Sequence, residues 1–305
     1  MVVMSACDEG YFPLAKGMYL SLIESGMLPP GVRLAFLDLG CREPSLDWFR
    51  SQGIAILPGV NEVMGPLAAP SLGYYRAMTC RAFLPDLFPD AEVLCWIDCD
   101  TWFQDASIIA TLRQEALQHP DSLLVAPEIH FTYTRVNDEV EVTRREMYGY
   151  YEALYGPELA QALHLLPNIN SGFVVMHAES GLWDSWKIEL EAIYFRDFDL
   201  HAPTTRHFAE QTALNKLVKT GAKARYFDPL YNYLCLWNPP FRDKAGVIRA
   251  AWPPYPPLGM LHLAGGWRHF GRTYAERGLL YKAGEYLNSH EKIALLKAFG
   301  VVAIG

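Results

Sequence analysis

Short apolar runs alternate with helix-like segments along the first 126 residues of this 305-residue chain, and this alternation limits the fold more than any other feature. The runs that we interpret as strands are Val2 to Ala6, Val32 to Leu39, Ile54 to Leu57, Glu92 to Ile97 and Leu123 to Ala126. Helix-like segments lie between them, for example from Pro13 through Leu22. Because this alternation is typical of α/β proteins, we predict a mostly parallel central sheet flanked by helices.

The pattern changes after residue 126. Residues 130 to 165 are polar and aromatic without strand periodicity, which predicts an inserted helical or loop region over one edge of the sheet. Further along we expect a strand at Asn170 to His177, helices at Trp183 to Phe195 and His207 to Val218, a long ordered loop at Tyr231 to Pro257, an apolar strand at Met260 to Leu263, and helix in the remainder after Arg268. The absence of internal repeats and low-complexity linkers favours one domain over residues 1–305.

Acidic residues outnumber basic ones. The chain has 34 Asp and Glu against 26 Lys and Arg, a formal net charge of -8, which argues against broad electrostatic binding to nucleic acid or to an anionic membrane. No uncharged apolar run reaches the roughly 20 residues of a membrane span, and the N-terminus lacks the basic flank and apolar core of a signal peptide. We therefore expect a cytoplasmic protein. Its six scattered cysteines, without a C-x-x-C pair, are expected to be buried reduced thiols.

Two acids directly follow the apolar run that ends at Ile97. The two-residue spacing of Asp98 and Asp100 points both carboxylates to one side, close enough to bind one divalent cation. A cation would offset the repulsion between the two anions, and its remaining positions would be free for phosphate oxygens. The structural alternative is that Asp98 caps the next turn and that Asp100 is solvated.

Ile97 to Thr101 also resembles the Asp-x-Asp motif of GT-A glycosyltransferases, and of family 8 in particular. Other segments resemble further motifs of that family in the same order along the chain. They are Ala6 to Tyr11 for the first loop, Tyr75-Arg76 for the helix that leads to the metal strand, Asn170-Ser171-Gly172 for the strand that touches the donor sugar, Glu210 to Asn215 for the Asp-Gln-x-x-x-Asn helix, and His262 to Arg268 for the closing His-x-x-Gly-x-x-Lys. Each motif alone is common by chance, so the order carries the resemblance.

The resemblance implies a GT-A, Rossmann-like fold with a nucleotide-binding half at about residues 1–126 and an acceptor and closing half at about 127–305. It also implies retaining transfer of a hexose from a UDP-sugar to an acceptor hydroxyl on a glycan or small molecule. The implied metal ligands are Asp98, Asp100 and His262. The implied nucleotide contacts are Ala6, Asp8, Tyr11, Asp98 and Cys99, and the implied donor-sugar contacts are Arg76, Asn170, Ser171, Glu210 and Gln211. Gly265 and Arg268 are implied to bind the diphosphate, and Gln211, Glu210 and Arg268 are the catalytic candidates.

The chemistry of such a transfer is consistent with these residue types. A cation that bridges phosphate oxygens stabilises the charge that develops on a departing diphosphate. Two carboxylates and one imidazole suit Mn²⁺ better than Mg²⁺, the second candidate, which prefers oxygen ligands and retained water. Gln211 is a poor nucleophile, so the expected route is attack from the face of the leaving group, with the departing phosphate accepting the acceptor's proton. Glu210 and Arg268 depart from the family's usual Asp and Lys, and the first departure leaves the identity of the sugar open.

Most of these residues also have a structural interpretation. Asp8 could cap the following helix, and Tyr11 could pack at a strand end. His262 could be a satisfied buried histidine, and Arg76 could pair with a loop acid.

Two other functions fit part of the sequence. A haloacid-dehalogenase-like phosphohydrolase also places Asp-x-Asp-x-Thr-like residues at a strand end, with the first Asp as nucleophile. That class needs a later acidic pair after another strand, whereas Asp197-Phe198-Asp199 follows a helix-like segment. The other alternative is a non-catalytic module that binds sugar nucleotides or glycans.

Overall fold

The computed structural model describes residues 1–57, 73–130, 137–194, 201–235, 240–250, 253–264 and 302–303. The helix predicted after Arg268 and the acidic pair at 197–199 therefore lie outside the described residues, except for 302–303. Within the described part of the chain, no helix combines the length and the apolar character that crossing a bilayer requires.

The strands form one large and two small sheets. They are β1 (Val2–Cys7), β2 (Arg33–Asp38), β3 (Ala55–Leu57), β4 (Val93–Ile97), β5 (Thr101–Phe103), β6 (Leu123–Pro127), β7 (Ile169–His177), β8 (Ala224–Tyr226), β9 (Tyr233–Leu234), β10 (Phe241–Arg242), β11 (Ile248–Arg249), β12 (Met260–His262) and β13 (Val302–Ala303). The large sheet has the order β3-β2-β1-β4-β7-β6-β8. Within it β7 runs antiparallel to β4 and β6, and the other pairings are parallel.

Helices cover this sheet as the alternating pattern predicts. They are α1 (Phe12–Ser25), α2 (Glu43–Ser51), α3 (Gly73–Thr79), α4 (Leu84–Leu87), α5 (Ile108–Gln118), α6 (Asn137–Tyr155), α7 (Pro157–Leu163), α8 (Leu182–Tyr194) and α9 (Pro203–Lys219), with a 3₁₀ turn at Cys80–Phe83. A proline in the first turn opens α1 and α9, because proline needs no hydrogen bond there. Gly26, at φ 65°, ends α1. The mostly parallel α/β architecture is confirmed, and the described part of the 130–165 region is helical.

Both faces of the large sheet are covered. In the central strands, Met4 and Trp96 belong to one buried layer, and Val3 and Cys95 belong to the opposite layer. Successive side chains of a strand point to opposite faces, so a strand covered on both sides is apolar at every position. This explains the uninterrupted apolar run that ends at Ile97, and it makes the residues after β4 the first that can carry charge.

The prediction of a loop over residues 231–257 was wrong in part, because this segment contains β9, β10 and β11. Strands of two residues are too short to show an alternating pattern, so the sequence could not reveal them. The prediction of helix in the C-terminal part was wrong at Val302–Ala303, which pairs in parallel with Phe241–Arg242.

A small sheet of order β5-β12-β9 lies beside the end of β4. In it β12 runs antiparallel to β5 and parallel to β9. His262 is in register with Thr101 and with Leu234. This pairing brings two late segments of the chain to the acids that follow β4.

Candidate active site

The candidate metal site lies at the carboxyl end of β4. The backbone N–H of Asp98 donates to the carbonyl of Gly172 on β7 over 2.7 Å, which extends the β4–β7 pairing by one residue. Asp100 immediately precedes β5, and the hydroxyl of Thr101 donates to the carbonyl of Asp98 over 2.9 Å. The tight connection between β4 and β5 therefore holds both acids at one edge of the sheet.

β12 brings His262 to the same edge. The N–H of Leu263 donates to the carbonyl of Asp100 over 3.0 Å, which anchors the end of β12 beside the acids. His262 Nε2 lies 3.7 Å from Asp98 Oδ2 and 3.4 Å from Asp100 Oδ1. One ligand atom from each of the three residues lies within 4.8 Å of the others. The structure thus brings together the three residues predicted from the sequence to bind a metal.

This donor set fits a divalent cation. Burial lowers the pKa of His262, but the charges of Asp100 and Asp98 outweigh that effect and raise it overall, so the pocket favours positive charge. Gly172 provides space for the ligands. A Cβ at this position would lie 2.6 Å from Asp98 Oδ2 and 2.9 Å from Asn170 Oδ1, and closer still to the ring of His262. Only glycine leaves room for the cluster without displacing its members.

Arg81, which the sequence interpretation missed, places a buried positive charge beside the candidate metal site. From the 3₁₀ turn its guanidinium reaches Asp98 Oδ1 at 2.5 Å, Glu210 Oε2 at 2.9 Å and Ser171 Oγ at 2.7 Å. It also lies over the ring of Trp96, 5.1 Å from the centroid. An arginine inside the apolar run Cys80 to Leu84 was the available signal, because arginine is rarely buried without a partner.

Arg76, the arginine predicted to contact the donor sugar, lies on α3 five residues earlier. Its Nε is buried and has no hydrogen-bond partner among the described residues. The arginine that contacts Asp98 is Arg81, and the role of Arg76 toward the donor sugar stays a prediction.

Glu210 shares Arg81 with Asp98. Its side chain is 2% exposed, and its Oε2 accepts hydrogen bonds from Arg81 and from Ser171 Oγ, the latter over 3.0 Å. Burial raises the pKa of Glu210 to about 7, although the charge of Arg81 lowers it. The other oxygen, Oε1, is buried and has no partner among the described residues. Two acids share one guanidinium, and the shorter contact belongs to Asp98.

Gln211 and Asn170 meet beside a second missed residue, Glu128. Glu128 Oε1 accepts from Asn170 Nδ2 over 3.0 Å and from Gln211 Nε2 over 3.2 Å. The N–H of Ser171 donates to Gln211 Oε1 over 3.3 Å. Burial raises the pKa of Glu128 overall, although the hydrogen bonds from these two amides act in the opposite direction. Glu128 follows β6, and no local motif marks it in the sequence.

Asn215, the last residue of the Glu210 to Asn215 motif, has a structural role. Its Oδ1 accepts from the N–H of Ile169 over 2.8 Å, and its Nδ2 donates to the carbonyl of Ile169 over 2.9 Å. These bonds attach α9 to the start of β7. The spacing of the motif therefore fixes Glu210 and Gln211 against Asn170 and Ser171.

The predicted nucleotide-binding loop follows β1, which is the parallel neighbour of β4, so the loop lies at the same sheet edge as the acids. Ala6 is buried within β1. Asp8 Oδ1 accepts from the N–H of Tyr11 over 3.2 Å, but Tyr11 is itself the N-cap of α1 and no side chain caps this helix, so Asp8 closes the turn before α1 and the interpretation of Asp8 as a helix cap was wrong. The ring of Tyr11 is partly buried against the core, and so is Cys99. Gly265 and Arg268, predicted to bind diphosphate, lie outside the described residues.

No protein-family model and no curated protein matches this sequence. Solved structures are similar to it. The galactosyltransferase LgtC, in complex with donor and acceptor sugar analogs, has 16% sequence identity and a TM-score of 0.55, with 96% of this chain and 100% of that chain covered. Mouse xyloside xylosyltransferase 1 has 13% identity and a TM-score of 0.52, with 87% and 97% covered. The bifunctional glycosyltransferase WbbM has 12% identity and a TM-score of 0.50, with 87% of this chain but 45% of that chain covered.

These identities are low, so the similarity establishes architecture. The seven-stranded sheet and its flanking helices correspond to the fold of these enzymes. The protein has the GT-A fold of glycosyltransferases.

Proposed function

We propose that this protein is a metal-dependent glycosyltransferase that moves a hexose from a UDP-sugar to an acceptor hydroxyl with retention of anomeric configuration. The observation that carries the proposal is the cluster of Asp98, Asp100 and His262 at the carboxyl end of β4 in a GT-A fold. Ligands of open α/β sheets bind outside the carboxyl ends of the strands, which is where this cluster lies.

Asp98, Asp100 and His262 would hold the cation, for which Mn²⁺ is the first candidate and Mg²⁺ the second. When bound, the cation would stabilise the negative charge that develops on the leaving diphosphate. We assign diphosphate binding to Gly265 and Arg268, because an arginine can make two parallel hydrogen bonds to phosphate oxygens.

For the uridine we assign the loop from Ala6 to Tyr11 together with Cys99. An aromatic ring supplies a stacking face, and a carboxylate accepts a hydrogen bond from the ring N–H of uracil. The position of this loop beside the candidate metal site supports the assignment, since a nucleoside and its diphosphate have to bind side by side.

For the donor sugar we assign Ser171, Glu210 and Gln211. Glu210 Oε1 is the best candidate for a sugar hydroxyl, because it is buried without a partner among the described residues and such an atom is costly to leave unpaired. Glu210 is held by Arg81 and Ser171, so its proposed role is to bind the sugar and not to attack it. The acceptor hydroxyl would then attack from the leaving-group side and pass its proton to the departing phosphate.

The test uses purified protein, a panel of nucleotide sugars, and thermal unfolding with and without Mn²⁺, since a ligand that binds only the folded state raises the Tm. We expect UDP-sugars to raise the Tm more in the presence of Mn²⁺, and we expect UDP release. Asp100→Ala and His262→Ala should remove the Mn²⁺-dependent increase and reduce UDP release by about a hundredfold or more.

Asp38→Asn is the matched control. Asp38 also ends a strand of the large sheet, but its Oδ1 accepts from the N–H groups of Gly40 and Cys41, and asparagine retains that acceptor. Full activity in Asp100→Ala would contradict the metal assignment. Phosphate release from a simple phosphomonoester, without any response to nucleotide sugars, would favour the phosphohydrolase alternative.

A further inference from the structure

A chain of three hydrogen bonds runs from His262 to Glu128 through two amides. His262 Nδ1 lies 2.8 Å from Asn232 Oδ1, Asn232 Nδ2 donates to Asn170 Oδ1 over 3.1 Å, and Asn170 Nδ2 donates to Glu128 Oε1 over 3.0 Å. Three of these side chains are almost entirely buried, at 2% exposure for His262, 1% for Asn232 and 8% for Asn170. No motif in the sequence marks Asn232.

A backbone group fixes which side chain donates and which accepts in each of these hydrogen bonds. The N–H of Gly172 donates to Asn170 Oδ1 over 3.0 Å, and a backbone donor cannot be reversed. Asn170 therefore presents its oxygen to Asn232 and its amide nitrogen to Glu128. Asn232 must then donate to Asn170, so its own oxygen faces His262. Since that oxygen can only accept, the proton of the His262 ring resides on Nδ1.

The other ring nitrogen of His262, Nε2, is therefore free to bind a metal ion. With the proton on Nδ1, the neutral imidazole has its lone pair on Nε2, which is the atom that faces Asp98 and Asp100. Partners that hold the distal N–H of a metal-binding histidine fix its tautomer and its orientation.

We propose that Asn232 is a positioning residue of the metal site, which presents His262 Nε2 to the cation, and that Asn170 and Glu128 set the direction of its amide. This rests on the proposed function in one respect, namely that the cation binds at Asp98, Asp100 and His262.

The same contacts support a positioning role for Asn170, which the family resemblance assigned to the donor sugar. Its amide nitrogen donates to Glu128 and to Gln211 Oε1, the latter over 3.4 Å, and its oxygen accepts from Gly172 and Asn232. All its hydrogen-bonding capacity is thus engaged by protein groups, so contact with a sugar would break one of these bonds. Asn170 connects the proposed sugar site, through Gln211, to the proposed metal site, through Asn232.

The first experiment examines the ring itself. In metal-free, ¹⁵N-labelled protein, at a pH where the imidazole is neutral, long-range ¹H–¹⁵N spectra report which ring nitrogen carries the proton, and His262→Ala identifies the signal. We expect the Nδ1–H form in the wild type. An Nε2–H form would overturn the proposal, whether or not any variant folds.

The second experiment measures Mn²⁺ affinity by calorimetry. Asn232→Leu should weaken binding about 10- to 100-fold, whereas Asn232→Asp, which restores an acceptor for Nδ1–H but loses the donor to Asn170 Oδ1, should recover part of it. Asn168→Leu is the matched control, because Asn168 is a partly buried asparagine whose side chain bonds to Met147 and Lys219 and to none of the residues between His262 and Glu128.

The outcomes separate this proposal from the proposed function. Unchanged Mn²⁺ affinity in folded Asn232→Leu, or an equal loss in Asn168→Leu, would overturn the positioning role alone. A wild-type protein with the Nδ1–H form that binds no Mn²⁺, with or without UDP, would contradict the proposed function, and the positioning role would fall with it.

Discussion

Replacing Gly172 with alanine adds one methyl group at the centre of the candidate metal site. The added Cβ would lie 2.6 Å from Asp98 Oδ2 and 2.9 Å from Asn170 Oδ1, and nearer still to the ring of His262. The Asp98 oxygen would have to retreat by about 0.8 Å to reach ordinary van der Waals separation. Asp98 cannot retreat freely, because Arg81 and Trp96 hold its other oxygen at 2.5 and 2.7 Å.

The size of this displacement decides the expected phenotype. Metal–ligand distances tolerate deviations of only about 0.2 Å, so a shift several times larger should remove at least one ligand. Overpacking a buried site typically costs about 1–3 kcal/mol, which a domain of this size can survive. We therefore expect Gly172→Ala to fold with a lowered Tm and to lose at least about tenfold in Mn²⁺ affinity.

Thermal unfolding with and without Mn²⁺ separates the two effects. At about 100 times its Kd, a ligand stabilises the folded state by about 2.7 kcal/mol, and this increment should shrink or vanish in Gly172→Ala. Gly181→Ala is the control, because a Cβ at Gly181 meets nothing within 4 Å. A Gly172→Ala protein that keeps the wild-type Tm and the full Mn²⁺ increment would refute the geometry of the site.

Two further predictions concern the buried ion pairs. Because the folded chain raises the pKa of Glu210 from 4.5 to about 7, its protonation stabilises the fold fully below pH 4.5, and that stabilisation is lost as the pH rises through about 7. Between pH 4.5 and pH 8, the free energy of unfolding of the wild type should therefore fall by up to about 3 kcal/mol relative to that of Glu210→Gln, measured by urea unfolding in EDTA. A difference between the two proteins that does not change with pH would contradict this. Arg81→Leu leaves Asp98 and Glu210 without the guanidinium that they share, and it should lower the free energy of unfolding by about 3–5 kcal/mol in the same assay. Arg33→Leu, which breaks the exposed pair with Asp90, should cost less than about 1 kcal/mol, and equal costs would show that Arg81 is not a structural cation.

The first half of the sequence determined the architecture because its information is local. Apolar runs that alternate with helical segments predict strands covered on both faces, and β1, β2, β4 and β6 lie where those runs lie. The same logic placed Asp98 and Asp100, since charge can first follow a buried strand where the strand leaves the core.

Only the tertiary structure decided what surrounds those acids. His262 reaches them because β12 pairs with β5; the family resemblance implied this meeting, but the local pattern of a three-residue strand does not identify its pairing partner. The same holds for Arg81, Asn232 and Glu128, each of which acts through side-chain hydrogen bonds to residues far away in the chain. Hydrophobic periodicity repeats along a segment and can be read from it, whereas a hydrogen bond between distant side chains exists only after the backbone has brought them together.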